Sequence, residues 1–127
     1  MANLVWTDDG LEWLVKRAFD PATALSPALA LAIGSGATTP SPADAALISE
    51  TARENATFEY VSPGVFKLSA TFAAGVGTGT VAEVGIFDDV DDDEGTLIAR
   101  CLVGPFTKGA GADYTVELPV TLVDSNA

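Results

Sequence analysis

The sequence predicts a mainly β protein, an antiparallel, jelly-roll-like β-sandwich with one N-terminal α-helix, in a single domain spanning residues 1–127. Three observations predict it: one amphipathic helical pattern near the start, about six short alternating segments after it, and turns rich in glycine and proline between them. Short strands separated by turns are typical of antiparallel sandwiches, whereas parallel sheets need helical crossovers. Two halves of this chain would each be too small for a dependable core.

The predicted helix covers about residues 8–19. Its apolar residues recur at the spacing of one helical face: Leu11, Leu14, Val15, Ala18 and Phe19. We expect this face to pack on a sheet and Trp13 to lie on the opposite flank. Asp9 and Glu12 have the spacing of a capping box, and Pro21 ends the helix.

Strands are expected from about residue 28 to residue 123. Alternation of apolar and polar residues predicts them at about 28–33, 48–61, 65–72, 80–87, 96–103 and 112–123. Ser62-Pro63-Gly64 predicts a tight turn, because proline presets φ and glycine permits a positive φ. In the fourth predicted strand, 80–87, Val84 and Ile86 face one side, while Glu83, Gly85 and Phe87 face the other. Apolar residues on both sides indicate that both faces of this strand are covered.

The charge balance restricts the partners. Eighteen acidic residues face six basic ones, and the net charge of −12 repels phosphate backbones and anionic membrane surfaces. We therefore expect no nucleic-acid partner and no membrane insertion. The N-terminus lacks the features of a signal peptide, which predicts synthesis in the host cytoplasm without a cleaved leader. An acidic, lysine-poor composition is also typical of halophilic proteins, in which carboxylates hold water and cations; a merely acidic surface is the alternative.

The sequence offers little for catalysis. It contains no histidine and a single cysteine, Cys101, which excludes Ser-His-Asp and Cys-His relays, histidine-ligated zinc and thiolate metal cages. The glycine-rich segments at 34–36 and 75–79 match no nucleotide-binding fingerprint. We predict a protein that is not an enzyme and has no cofactor. A carboxylate pair for glycoside hydrolysis is the enzymatic alternative.

The acidic segment 88–95 is the candidate cation site. Carboxylates are the ligands that Ca²⁺ and Mg²⁺ prefer, and the candidates are Asp88, Asp89, Asp91 and Asp93. The spacing is not that of an EF-hand, because Glu94 occupies the glycine position and Arg100 the position of the closing glutamate. A hairpin tip with solvated charges is the alternative.

Five further residues are candidates for contacts between subunits. Trp6, Trp13 and Tyr114 are aromatic side chains of the kind that anchor interfaces. Arg53 and Arg100 are rare cations among many acids, which predicts ion pairs either within the chain or between subunits.

Several motifs occur together in a fixed order. They are Leu31-Ala32-Ile33-Gly34-Ser35-Gly36, then 40–47 with Pro40 and Asp44, then Glu50-Thr51-Ala52-Arg53, then 82–88, then Leu97-Ile98-Ala99-Arg100, and finally 114–120. Their order over roughly residues 8–123 resembles small structural proteins of tailed bacteriophages and tailed haloarchaeal viruses, including tail-fibre-like and capsid-surface proteins. The resemblance implies a helix before a β-sandwich, no enzymatic activity and a place in the virion. The acidic segment 88–95 departs from the pattern.

The expected function is therefore that of a structural component of a tailed-virus particle. It would form homo-oligomers and dock on other virion proteins, at the capsid exterior as a turret or decoration, or in the tail or tail fibre. The alternative is a receptor- or carbohydrate-binding module whose loops at 34–42 and 104–111 contact a host surface glycan or receptor.

Overall fold

A computed structural model describes residues 4–22, 29–91 and 94–122. These residues form one short helix, α1 (Asp8–Phe19), and eight strands. The strands are β1 (Val5–Trp6), β2 (Ala30–Gly34), β3 (Glu50–Asn55), β4 (Thr57–Ser62), β5 (Val65–Phe72), β6 (Gly79–Phe87), β7 (Leu97–Lys108) and β8 (Tyr114–Thr121). The protein is mainly β, as predicted, and α1 coincides with the predicted helix. No helix in the described part of the chain has the length and apolar character to cross a lipid bilayer.

The strands form two antiparallel sheets. The order is β1-β7-β6-β2-β3 in the five-stranded sheet and β4-β5-β8 in the three-stranded sheet. The main core contains buried side chains from both sheets, among them Ile33, Val84, Leu68, Phe72 and Leu118. This arrangement is consistent with the predicted β-sandwich, whereas a jelly-roll connectivity is not confirmed.

The predicted hairpin is present, with β4 and β5 on either side of the turn and Gly64 at φ 78°. The run predicted over 48–61 is extended, but its prediction as one strand was wrong, because β3 and β4 belong to different sheets. The chain passes from β3 to β4 at Ala56, whose N–H donates to the carbonyl oxygen of Leu29 at 2.9 Å. The edges of the two sheets are thus joined by one residue.

Strand β7 is longer than the alternation predicts. It continues to Lys108, so the loop predicted over 104–111 begins only after that residue. Lys108 is buried, and its Nζ donates to the carbonyl oxygens of Ala73 at 2.9 Å and Ala112 at 2.7 Å. This ammonium group therefore joins the loop after β5 to the loop before β8.

Helix α1 lies on β7, with a different cap and a different face from those predicted. The N-cap is Thr7, whose Oγ1 accepts a hydrogen bond from the Gly10 N–H at 2.8 Å and donates to the Leu97 carbonyl at 2.5 Å. Gly10 is buried, and a Cβ there would collide with the backbone carbonyl of Ile98. Only glycine lets the helix approach the strand so closely.

The predicted packing face of α1 was wrong. Trp13 packs against the main core, three residues after the buried Gly10. Leu11, Val15 and Phe19 are exposed, and Phe19 is 80% accessible. The helix therefore has two apolar sides, one on the protein and one in solvent.

Candidate functional site

A buried ion pair lies on the face of the five-stranded sheet that is turned away from the main core. Glu83 of β6 and Arg100 of β7 are both fully buried, and Nε of Arg100 donates to Oε1 of Glu83 at 2.8 Å. Such a pair is retained only where the desolvated charges have further hydrogen-bond partners. Arg100 is therefore in a structural ion pair within the chain, the first of the two roles predicted for it.

The partners of Glu83 come from the segment 35–49, between β2 and β3. Its carboxylate accepts hydrogen bonds from the backbone N–H groups of Gly36 at 2.7 Å, Ile48 at 2.9 Å and Ser49 at 2.9 Å. Arg100 contacts the same segment, because its Nη1 donates to the Thr38 carbonyl at 2.8 Å and lies 3.4 Å from Oδ2 of Asp44. The ion pair thus fixes both ends of the segment to the sheet.

Two glycines give Glu83 its space. A Cβ on Gly34 would lie 2.7 Å from Oε2 of Glu83, and a Cβ on Gly36 would lie 2.5 Å from the same atom. The nearest atoms to these two Cβ positions are the Ser49 carbonyl oxygen and the Ile48 Cβ, which are closer still. The Gly34-Ser35-Gly36 motif is therefore explained by the Glu83 carboxylate together with residues 48–49, which bind it.

A second buried arginine organises the acidic segment. Arg53 makes a two-pronged pair with Glu50, at 2.9 Å and 2.8 Å, and its guanidinium lies 3.6 Å from the centre of the Phe87 ring. Its Nη1 donates to three backbone carbonyl oxygens of the acidic segment, those of Asp89, Asp91 and Glu94, at 2.9, 2.9 and 2.7 Å. Like Arg100, Arg53 has the predicted role of a structural ion pair.

The carboxylates of the acidic segment make local contacts. Asp88 accepts a hydrogen bond from the Thr96 N–H at 2.6 Å, and Asp89 accepts one from the Asp91 N–H at 2.9 Å. Across residues 4–22, 29–91 and 94–122, no three acidic, histidine or cysteine side chains converge to hold a metal ion. Asp93, the fourth predicted ligand, lies outside the described residues. Calcium or magnesium binding stays a prediction, and a calorimetric titration with calcium chloride tests it.

A cleft of about 350 Å³ separates α1 from the start of the acidic segment. Its lining is mostly charged and consists of Asp9, Glu12, Trp13, Lys16, Arg17, Asp88 and Thr96. Several of these groups contact one another: Lys16 pairs with Glu12 at 2.7 Å, and the guanidinium of Arg17 lies 4.5 Å from the centre of the Trp13 ring. Binding pockets for small molecules are mainly apolar with a few convergent polar groups, which this cleft does not resemble.

The three aromatic residues predicted as subunit anchors lie against the protein's own core. Trp6, Trp13 and Tyr114 are each half-buried beside the main core cluster. Tyr114 also contacts Phe106 edge to face, with the ring centres 4.8 Å apart. Contacts within the chain therefore cover much of each of these side chains. A role between subunits stays a prediction.

Two surfaces that sequence reasoning missed expose apolar side chains. The first, called the strand surface below, consists of Phe58 and Tyr60 on β4, which are 60% and 65% accessible. The second, the helix stripe, consists of Leu11, Val15 and Phe19 on the outer side of α1. In the sequence, Phe58 and Tyr60 alternate with Thr57 and Glu59. This alternation places both aromatic side chains on one face of a strand.

Cys101 is buried in the main core, and this burial raises the pKa of its thiol to about 11. The ordinary pKa of a cysteine thiol is 9.0, so between pH 9 and about pH 11 the unfolded chain releases the thiol proton while the folded chain keeps it. The free energy of unfolding should therefore fall by roughly 2 kcal/mol over this range because of Cys101. Urea unfolding of wild type and Cys101→Val at pH 8 and 11 measures this, since other groups titrate equally in both proteins. An identical pH dependence for the two proteins would contradict the expectation.

Comparison with known proteins finds no match to the chain among family models, curated proteins or solved structures. The resemblance to virion proteins therefore stays a prediction, and the function is inferred from the residues themselves.

Proposed function

We propose that this chain is a non-enzymatic, jelly-roll-like structural component of a tailed-virus particle. It is made in the host cytoplasm, associates with copies of itself, and docks on other virion proteins at the capsid exterior, as a turret or decoration, or in the tail or tail fibre. The observation that carries this proposal is the pair of separate apolar surfaces, the strand surface and the helix stripe, which include the three most exposed large apolar side chains among the described residues: Phe19, Tyr60 and Phe58. Exposed apolar patches of this kind mark sites of protein association.

The positions of the buried charges support a structural role. Glu83, Arg100 and Arg53 are engaged in holding the backbone of two loops against the five-stranded sheet. Fixed loops and a rigid core favour a building block that must keep its shape within an assembly, since rigid partners associate with less loss of conformational entropy.

The negative charge sets the conditions for association. At a net charge of −12, two copies repel each other at low ionic strength. Molar salt shortens the screening length to about 3 Å and removes most of this repulsion. Self-association should therefore strengthen as salt is added, as the halophilic interpretation of the composition also predicts.

A receptor- or carbohydrate-binding module is the second candidate, and one observation favours it. The segment 35–49 is held by Glu83 and Arg100, yet the hydroxyl-bearing residues Ser35, Thr38 and Thr39 near its start are exposed. A rigid loop with exposed hydroxyl groups is preorganised for hydrogen bonds to a glycan.

Light scattering after size-exclusion chromatography in molar salt, together with a glycan array, separates the two candidates. We expect a stable oligomer and no glycan signal. A monomer that binds defined glycans would replace the proposal with the second candidate. A map of purified particles from the virus that encodes the chain should then show repeated copies on the capsid exterior or tail, and particles that lack the chain would overturn the proposal.

A further inference from the structure

Strand β4 differs from the other sheet edges. Edge strands of soluble proteins are normally protected by short length, charged side chains or proline, because their free N–H and C=O groups otherwise pair with another chain. Strand β1 has two residues, β8 contains Pro119, and β3 carries Glu50, Arg53 and Glu54. Within the described residues, β4 pairs with β5 along one side only, and its six residues include no proline and one charged side chain, Glu59.

The aromatic side chains of β4 point to the side of the sheet that carries the core. Phe58 is opposite Leu68 and Tyr60 is opposite Phe66 in the antiparallel register, so they share a face with these residues. Leu68 is buried in the main core, whereas Phe58 and Tyr60 are mostly exposed. The core-side face of the three-stranded sheet is therefore covered by the protein at β5 but left largely uncovered at β4.

We propose that β4 pairs antiparallel with β4 of a second copy of this chain, across a two-fold axis at Glu59, and joins two three-stranded sheets into one of six strands. This inference rests on the proposed self-association and names the surface that mediates it. Closed two-fold contacts of this type are the commonest in homo-oligomers. The pairing also covers this weakly protected edge in both copies.

The register follows from the sequence of β4. An axis at Glu59 places Phe58 of each copy opposite Tyr60 of the other, and this central part of the pairing, residues 58–60, lies before the irregularity at Val61. Aromatic pairs across strands stabilise a sheet by about 0.2–1 kcal/mol each. The two Glu59 carboxylates meet at the axis, but each lies 3.1 Å from Nζ of its own Lys67, which reduces their repulsion.

The available area is sufficient for a specific contact. An aromatic side chain buries about 150–250 Å² when fully covered, so Phe58 and Tyr60 offer roughly 250 Å² per copy at their observed exposures. With Val61 and the free backbone edge of five residues, the two copies bury at most about 1,000 Å² together, which is the lower limit for a specific interface.

Tyr60→Lys and Val15→Lys, compared with wild type by sedimentation in molar potassium chloride, test the inference. Tyr60 and Val15 are both exposed, so neither lysine disturbs the core, and Val15 represents the helix stripe. Wild type is expected to be a dimer or an even-numbered assembly, Tyr60→Lys to lose at least half of that mass, and Val15→Lys to remain at least dimeric. The reverse result would assign self-association to the helix stripe, overturning this inference and leaving the proposed function in place.

Thiol crosslinking tests the register independently and does not depend on a charge in the interface. Cys101 is buried, so in Glu59→Cys the introduced thiol is the reactive one. A short bismaleimide should link two copies of Glu59→Cys and should not link Glu117→Cys, which is exposed on β8. Equal crosslinking of both variants would overturn the inference. A wild-type chain that stays monomeric yet occupies the particle with β4 against a different protein would overturn it as well, without harming the proposed function.

Discussion

Replacing Arg100 with methionine is expected to lower the free energy of unfolding by about 3–5 kcal/mol, the usual effect of removing one partner from a buried ion pair. The guanidinium of Arg100 is fully buried and donates to Glu83 at 2.8 Å. Methionine fills similar space but leaves the Glu83 carboxylate buried without its counter-charge. It also removes the hydrogen bond to the Thr38 carbonyl. Urea unfolding in molar salt measures the change.

Lys16→Met is the matched control, because it also removes one cation from an ion pair. Lys16 pairs with Glu12 at 2.7 Å, but both side chains are mostly exposed. Exposed pairs contribute about 0–1 kcal/mol, so this variant should unfold at nearly the wild-type urea concentration. Hydrogen exchange gives a local readout: the amides of Gly36, Ile48 and Ser49 should exchange faster in Arg100→Met alone. If both variants lose equally little stability, the ion pair does not hold the segment 35–49.

The sequence pattern predicted those parts of the fold that depend on local periodicity. The hairpin of β4 and β5 follows from the Ser62-Pro63-Gly64 turn and from alternation after it. The assignment of Val84 and Ile86 to one face of β6 is confirmed by their place in the main core, and Phe87 lies in a second cluster on the other face. In each case the residues next to one another in the sequence are sufficient to predict the turn or the orientation of the side chains.

Features that depend on distant contacts could not be predicted in this way. Helix α1 has apolar residues on two sides, and the side that packs is decided by Gly10, which admits the backbone of Ile98. The periodicity of Leu11, Val15 and Phe19 is as good as that of a packed face, but no glycine lies among them. Likewise, Ala56 has no turn-forming property that would reveal the passage between sheets.

The buried ion pair left a signal that sequence analysis could have used more fully. Glu83 follows Ala82 and precedes Val84, and Arg100 stands between Ala99 and Cys101, so each charge interrupts an apolar run. A charge in such a run is buried with its neighbours and needs a partner of opposite sign. The segment 35–49, which supplies the hydrogen-bond partners, is in contrast recognisable only from Gly34 and Gly36, the two glycines that make room for Glu83.

Arg53→Met should release the acidic segment and lower the free energy of unfolding by about 3 kcal/mol, the lower end of the usual effect of removing one partner from a buried ion pair, because Glu50 is partly exposed. Arg53 is buried and donates to the carbonyl oxygens of Asp89, Asp91 and Glu94 as well as to Glu50. Methionine can occupy the place over the Phe87 ring but donates no hydrogen bond. The three carbonyl oxygens then need hydrogen bonds from water. Water reaches them only if the acidic segment moves away from the sheet.

Arg53→Lys is the informative control for this prediction. A lysine ammonium has three donors and can bind backbone carbonyl oxygens, as Lys108 does with Ala73 and Ala112 in this protein. It lacks the planar fork that binds Glu50 through two nitrogens, so it should recover only part of the lost stability. The amide of Thr96, which donates to Asp88, reports the order of the segment by hydrogen exchange. Exchange should be slowest in wild type, intermediate in Arg53→Lys and fastest in Arg53→Met. Equal rates in all three proteins would mean that the hydrogen bond between Asp88 and Thr96 and the neighbouring turns hold the acidic segment without Arg53.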